Sequence, residues 1–258
     1  MTSTDSAALT RIAALRAVHD RLRNAVTPLT PAQFRERGYP AEWTIAQVLS
    51  HLGSGAEINL LSLEAGLTGQ APPAQADLVA IWDRWNAKSP DEQAADALKS
   101  DAILVERFES LDADQRSRTF TNWSGPVDLN GLASSRLSET AVHGWDVEVA
   151  VDPTATIAPD VVALVLPYAA RLIGFTAKPA PAARIHVVTT DPEQEHALVL
   201  GEKAALEAWD GGDRTGTLTL PAEAFLRLIY GRLDPEHTPT VTATDVDLDA
   251  LRAVFPGF

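Results

Sequence analysis

The hydrophobic pattern of this chain changes at residues 151–160, and that change constrains the fold more than any other feature of the sequence. Before this segment, apolar residues recur at the three- and four-residue spacing of amphipathic helices. After it, short β-branched runs are interleaved with helical stretches. The segment itself, VDPTATIAPD, contains two prolines and is typical of a linker. We therefore predict an α plus α+β protein, with a helical domain over residues 1–152 and a smaller α+β domain over residues 153–258.

Five helical stretches precede the linker and predict a bundle of about four main helices. Thr44 is placed to cap the second stretch, and Ser89 and Pro90 are placed to open the fourth. No convincing strand appears in this part of the chain, whereas the runs ARIHVVTT and TGTLTL are the predicted strands of the second domain. The helical stretches lie at 5–25, from about 43 to before Gly66 or Gly69, and at 75–88, 90–111, 132–151, 159–173, 221–231 and 247–254.

The charge and the hydropathy of the chain exclude some classes of partner. A formal net charge of −14 without any cluster of Lys and Arg argues against binding to nucleic acid, which needs a basic surface. No stretch resembles an apolar membrane span, and the N-terminal residues lack the pattern of a signal peptide. We expect a cytoplasmic protein that contacts neither nucleic acid nor membrane.

The chain contains no cysteine, and this absence limits both its metal chemistry and its sulfur chemistry. A metal ion must be held by His, Asp or Glu side chains, because no thiolate is present. A reaction that uses a thiol must take the sulfur from a small molecule.

Three residues are candidates for a divalent-metal site: His51, Glu139 and His143. Glu139 and His143 are four residues apart on one helix, so their side chains are neighbours, although such pairs also occur by chance on helix surfaces. His51 lies beside the apolar stripe of the second helix, where a buried, hydrogen-bonded neutral histidine is the commoner interpretation of a single such residue. Together the three suit zinc with a fourth position open, or nickel, iron or manganese. Asp146 is placed to accept the second ring N–H of a histidine, or else is a solvated or capping residue.

Other conspicuous residues have simpler interpretations. His19, His186, His196 and His237 are interpreted as surface or structural residues. Trp43 and Trp145 neighbour the candidate ligands but are interpreted as packing residues. Arg232 follows an apolar helix, where a cation interacts well with the helix C-terminus or can bind an anion. The sequence contains no phosphate-binding glycine loop, no Gly-x-Ser-x-Gly motif and no HExxH motif.

Two segments, AEWTIAQVLSHLGSGAEI and LSETAVHGWDVEVAV, resemble the two characteristic stretches of the mycothiol-dependent maleylpyruvate isomerase family, which belongs to the DinB-like metalloenzymes. The segment GTLTLPAEAFLRLIYGRL is similar to the C-terminal domain of that family, which has a sterol-carrier-protein-like α+β fold. The resemblance covers nearly the whole chain in domain order, but residues 67–130 carry no matching motif.

The resemblance implies a DinB-like four-helix bundle in which His51, Glu139 and His143 bind zinc. In that family the metal activates the thiol of mycothiol, an actinobacterial cofactor, and the isomerase adds the thiolate reversibly to a cis double bond to give the trans isomer. Relatives use the same sulfur to form a lasting conjugate. Arg232 matches the Gly-Arg pair of the family and is expected to bind a carboxylate of the thiol or of the substrate, as a catalytic or cofactor-binding residue.

The sequence leaves two alternatives to a thiol-using isomerase or transferase. One is a metal-dependent hydrolase in which the activated species is water. The other is a non-catalytic protein whose C-terminal domain binds a small apolar ligand. Neither the electrophilic substrate nor the oligomeric state follows from the sequence.

Overall fold

The computed structural model describes residues 3–122 and 125–257. The chain divides into two compact units, Met1–Ala155 and Thr156–Phe258. The first is mainly helical and the second is built on a five-stranded sheet, so the predicted α plus α+β class is confirmed. The division falls within the proline-containing segment that the sequence analysis interprets as a linker.

Four long helices form the body of the first unit: α1 (Ser3–Val26), α2 (Ile45–Thr68), α4 (Pro90–Glu109) and α6 (Leu129–Val151). Helix α2 packs against α4 and α6, and α1 packs against α6 and α4. The shorter helix α3 (Gln75–Asn86) lies on α2. The predicted four-helix bundle is therefore confirmed.

The two predicted helix starts have the hydrogen bonds of capping boxes. The backbone N–H of Gln47 donates to Oγ1 of Thr44, while Oε1 of Gln47 accepts from the backbone N–H of Thr44. Ser89 and Glu92 make the equivalent pair at the start of α4, with Pro90 in its first turn. The Thr44 cap marks the start of α2, the helix that carries His51, and the Ser89 cap marks the start of α4.

A two-stranded antiparallel sheet precedes α6, whereas no strand was predicted in this half. Strands β1 (Phe120–Asn122) and β2 (Gly125–Val127) have three residues each. They are too short for a period-two pattern to be visible in the sequence, and β2 contains a proline. The prediction of no strand here was wrong for that reason. The short helix α5 (Ala113–Arg116) was also not predicted.

The second unit has one sheet of five strands in the order β5-β4-β3-β6-β7. The two predicted strands, β3 and β6, are central and pair in parallel, and all other neighbours are antiparallel. Helix α7 packs against α8 and β5, and α8 packs against β6 and β3. The strands are β3 (Ala183–Thr190), β4 (Gln194–Leu200), β5 (Ala205–Ala208), β6 (Gly216–Pro221) and β7 (Thr242–Thr244); the helices are α7 (Pro159–Thr176), α8 (Ala222–Ile229) and α9 (Leu248–Val254).

Strands β4, β5 and β7 were not predicted. His196, which was interpreted as a surface or structural residue, lies in β4 opposite Val187 of β3. The first residues of β4 are polar and follow an Asp-Pro turn, so their local sequence is typical of a loop. Pairing with β3 makes them a strand, and the sequence pattern does not encode that partner.

Helix α7 is 18 residues long with a mean hydropathy of 1.3, which is long and apolar enough to cross a membrane by these two criteria alone. The sequence analysis expected no such stretch. Core helices of soluble proteins meet the same criteria, and α7 buries one face that includes Val162, Val165 and Ala169. Its composition is therefore weak support for a membrane span.

Candidate metal centre

The side chains of His51, Glu139 and His143 converge in the first unit, with one potential ligand atom of each within 4.8 Å of the others. Nε2 of His51 lies 3.2 Å from Oε2 of Glu139, and Nε2 of His143 lies 3.7 Å from the same oxygen. The two imidazole rings are 4.6 Å apart between centroids. The structure thus brings together the three residues that the sequence analysis selected.

These distances fit a divalent metal ion. Zinc bonds of about 2.0–2.1 Å in a tetrahedral arrangement place neighbouring ligand atoms about 3.4 Å apart, a value between the two contacts. Two neutral imidazoles and one carboxylate are a donor set that zinc accepts. The side chains of His51, Glu139 and His143 are 37%, 47% and 16% exposed, so the cluster is open to solvent on one side. An ion held here would keep a position for an exogenous ligand.

Asp146 lies behind His143 and orients its ring. Oδ2 of Asp146 is 2.8 Å from Nδ1 of His143, and the aspartate side chain is completely buried. A carboxylate at this distance accepts the Nδ1–H proton, which leaves the lone pair of Nε2 directed toward Glu139. The sequence analysis considered this hydrogen bond from a histidine ring to Asp146. Its alternative, a solvated or capping aspartate, does not apply, because the side chain is buried within α6.

The carboxyl group of Glu139 is held in its ionised form. Burial acts to raise its pKa, but the hydrogen bond with His51 and the electrostatic interactions with His143, His51 and Arg136 together lower the pKa to about 2. The group is therefore a carboxylate, the form that binds a metal ion, throughout the neutral range.

A pocket of about 450 Å³ opens beside His51 between helices α2 and α3. The indoles of Trp43 and Trp82 form part of its wall and are 38% and 40% exposed. The ring of Trp43 lies 5.5 Å from that of His51. Trp43 was interpreted as a packing residue; its ring does lie against His51, and it also forms part of the pocket wall. Trp82 was not singled out, since its place on α3 carried no motif.

A second polar cluster lies in the interior of the bundle and was also missed. Nδ1 of His19 is 2.8 Å from Oδ2 of Asp101, and Nη2 of Arg136 donates to Oδ1 of Asp101 over 2.6 Å. The same Nη2 donates to the backbone carbonyl of Leu52, the residue after His51. All three side chains are buried. Of the two interpretations of His19, surface or structural, the structural one is therefore correct.

The remaining candidates lie elsewhere. Trp145 is buried and donates from Nε1 to the carbonyl of Ala155, so it is a packing residue as predicted. Arg232 belongs to the second unit, where it is buried and donates from Nη1 to the carbonyl of Tyr230. His186 pairs with Glu195, and His237 with Asp234, so both are structural.

Residues 15–148 match the family described as mycothiol maleylpyruvate isomerase N-terminal domain. Two solved structures are similar to this chain: that of the mycothiol-dependent maleylpyruvate isomerase, with a TM-score of 0.69, and that of a histidine-to-alanine mutant of it, with a TM-score of 0.67. Each is 16% identical to this chain, and the similarity covers 94% of this chain and 95% of the other. At this identity the likeness concerns the fold. No curated protein matches the chain in sequence.

Proposed function

Because the chain belongs to the mycothiol maleylpyruvate isomerase family through its N-terminal domain, we propose that it is a metal-dependent enzyme that uses mycothiol to isomerise, or to form a conjugate with, an electrophilic substrate of the maleylpyruvate type. The observation that carries this proposal is that potential ligand atoms of His51, Glu139 and His143 lie within 4.8 Å of one another in a partly solvent-exposed cluster. The absence of cysteine agrees with a thiol supplied from outside the chain.

The proposed roles follow from the contacts of each side chain. His51, Glu139 and His143 hold a divalent ion, with zinc as the proposed metal. Asp146 keeps the Nδ1 proton on His143, so that Nε2 faces the ion. When bound, such an ion lowers the pKa of a thiol that it holds and so supplies a sulfur nucleophile at neutral pH.

Arg232 is proposed to bind a carboxylate of the substrate. Support comes from its match to the Gly-Arg pair of the family, and its guanidinium is a planar donor that suits a carboxylate. Replacement by lysine keeps the charge but loses the two-pronged geometry. We expect Arg232→Lys to raise KM for an anionic substrate more than it lowers kcat.

The test is a turnover assay with the full chain loaded with zinc, in which the conversion of maleylpyruvate to its trans isomer is followed with and without mycothiol. We expect turnover that requires both the metal and mycothiol. His143→Ala should abolish it, whereas His186→Ala, which removes a histidine of the second unit, should leave it unchanged.

The alternatives give different results in the same assay. Hydrolysis of an ester or amide substrate without any thiol would favour a metal-dependent hydrolase. Purified protein that contains no metal, and that takes up none on incubation with zinc, would overturn both enzyme proposals and favour a small-ligand-binding protein. If the metal is bound and mycothiol forms a stable conjugate with an electrophile, transfer is favoured over isomerisation.

A further inference from the structure

The pocket beside His51, which we call the tryptophan pocket, is lined by Trp43, Trp82 and neutral polar side chains. Apart from the ionisable ring of His51, none of the described residues that line it carries a charge. A pocket for a dicarboxylate is expected to contain a cation, because burying an unpaired carboxylate is unfavourable. The composition of this pocket therefore favours an uncharged ligand.

Both tryptophans present large apolar faces to solvent. Among the described residues they are the two tryptophans classed as exposed, and both lie at the same pocket. Leaving apolar area in water costs about 25 cal/mol per Å². Exposed apolar surface gathered at one place, rather than scattered, is typical of a binding site.

The polar side chains of the pocket keep hydrogen-bonding capacity for a ligand. Oε1 of Gln47 is used in the cap of α2, which leaves its amide NH2 as a donor. Nε2 of Gln93 donates to the carbonyl of Trp85, which leaves its Oε1 as an acceptor. Oγ of Ser54 donates to the carbonyl of His51 and keeps its lone pairs. Neutral donors and acceptors beside flat apolar faces match a sugar ring, which has hydroxyl groups at its edge and C–H groups on its faces.

We infer that the tryptophan pocket binds the sugar portion of the thiol cofactor. This inference rests on the proposed function: mycothiol joins its cysteine-derived thiol to a glucosamine–inositol pair, so one molecule can place sulfur at the metal centre and a sugar ring in the pocket that the two indoles line. The pocket reaches His51, so the two subsites are adjacent. Its volume of about 450 Å³ is within the range of small-ligand sites.

The close packing of α3 on α2 supports the position of Trp82. A Cβ atom at Gly53 would lie 2.3 Å from the ring of Trp85, so the two helices approach too closely for any larger residue there. Nε1 of Trp85 also donates to Glu57 of α2 over 2.8 Å. Trp82 is thus carried on a helix that is held firmly in place, and its ring is available for stacking without ordering α3 on binding.

The test is a calorimetric comparison of two thiols on the zinc-loaded full chain: mycothiol, and N-acetylcysteine, which has a thiol but no sugar. We expect wild-type protein to bind mycothiol more tightly, and Trp82→Ala to reduce the ratio of the two affinities by about fivefold to tenfold, the range of one aromatic contact. Trp82→Phe should reduce it less. Val79→Ala, which truncates another exposed apolar side chain of α3, is the matched control and should leave the ratio unchanged.

Each outcome decides the inference. An unchanged ratio in Trp82→Ala would overturn it, as would an equal loss of affinity for both thiols, since that loss would reflect a disturbed metal centre. Binding is measured without substrate, so the proposed function can fail separately: mycothiol that binds with the expected preference but supports no turnover would overturn the reaction and keep the sugar subsite. Failure of both thiols to bind would overturn both.

Discussion

Two clusters of histidine and carboxylate lie in the helical unit, and they differ in how their charges are balanced. In the interior, His19 and Asp101 contact Arg136, and all three side chains are buried. At the metal centre, His51, His143 and Glu139 meet in a partly open site. Helix α6 contributes to both clusters, so they lie on one scaffold.

The difference is that the buried cluster contains its own cation. Arg136 supplies the positive charge that Asp101 needs, because a buried unpaired carboxylate is costly. The open cluster consists of three electron-pair donors, His51, Glu139 and His143. None of the three is a permanently cationic side chain of the kind that Arg136 is in the buried cluster. A set of this kind is suited to a cation from solution, whereas the buried set is already complete. A histidine–carboxylate contact thus indicates a metal site only where the protein has not supplied the cation.

Arg136 also connects the two clusters. Its Nη2 donates to the carbonyl of Leu52, adjacent to His51, and its charge contributes to the low pKa of Glu139. The buried cluster therefore supports the backbone of α2 at the metal centre. If the two clusters have different roles, variants of the buried cluster should mainly lower the free energy of unfolding. Variants of the open cluster should mainly lower the affinity for metal.

The largest expected effect is the loss of stability in Asp101→Ala. This change leaves Arg136 buried without its carboxylate, and removing one partner of a buried ion pair costs about 3–5 kcal/mol of unfolding free energy. Denaturant unfolding monitored by circular dichroism measures it. Glu109→Ala breaks the exposed pair with Arg16 and should cost no more than about 1 kcal/mol. Equal losses in the two variants would contradict the contrast between buried and exposed pairs.

The next largest effect is the loss of zinc affinity in His51→Ala and His143→Ala. Four-ligand structural zinc sites bind with about 10–16 kcal/mol, so removing one of three ligands should weaken binding by more than about 100-fold. Competition with a chromophoric chelator measures the affinity. His186→Ala should not change it, since that histidine pairs with Glu195 in the second unit. Retained affinity in both ligand variants would show that the cluster does not hold zinc.

A smaller effect is expected from Asp146→Asn. The neutral amide accepts the Nδ1–H of His143 more weakly than the carboxylate does, and loss of such a charged partner typically lowers metal affinity by about 10- to 100-fold. The same chelator assay applies, together with a measurement of unfolding free energy to separate orientation from folding. Asp249→Asn, at an exposed position of α9, is the control. Unchanged zinc affinity in Asp146→Asn would show that Asp146 does not contribute to metal binding through His143.

The smallest effect concerns the acid dependence of stability. Burial acts to raise the pKa of Asp101, but Arg136 and His19 outweigh it, so the folded-state pKa lies below the ordinary value of 3.8. The stabilisation from its ionised form is therefore complete above the unfolded pKa and is lost as the pH falls through the folded pKa. Below about pH 4, the unfolding free energy of Asp101→Asn should fall less steeply than that of wild type, by at most about 1.4 kcal/mol per pH unit. If the unfolding free energies of wild type and Asp101→Asn fell equally steeply with decreasing pH, the low folded-state pKa of Asp101 would be contradicted.

Much of the architecture was predictable because local periodicity encodes it. The spacing of apolar residues placed the main helices to within a few residues, and Thr44 and Ser89 marked two of their starts. The short strands β1 and β2, and strand β4 with His196, were not predictable, because their conformation depends on a partner strand rather than on their own pattern.

The sequence by itself determined one half of the metal centre: Glu139 and His143 must be neighbours wherever residues 139–143 are helical. His51 lies 88 residues before Glu139, and only the packing of α2 against α6 brings them within 3.2 Å. The packing of α1 against α4 likewise buries His19 beside Asp101, and the packing of α3 on α2 brings Trp82 to the pocket that Trp43 also lines. Helical periodicity specifies which face of a helix is apolar, but the choice of neighbouring helix is a property of the whole bundle, and it decides which polar side chains meet.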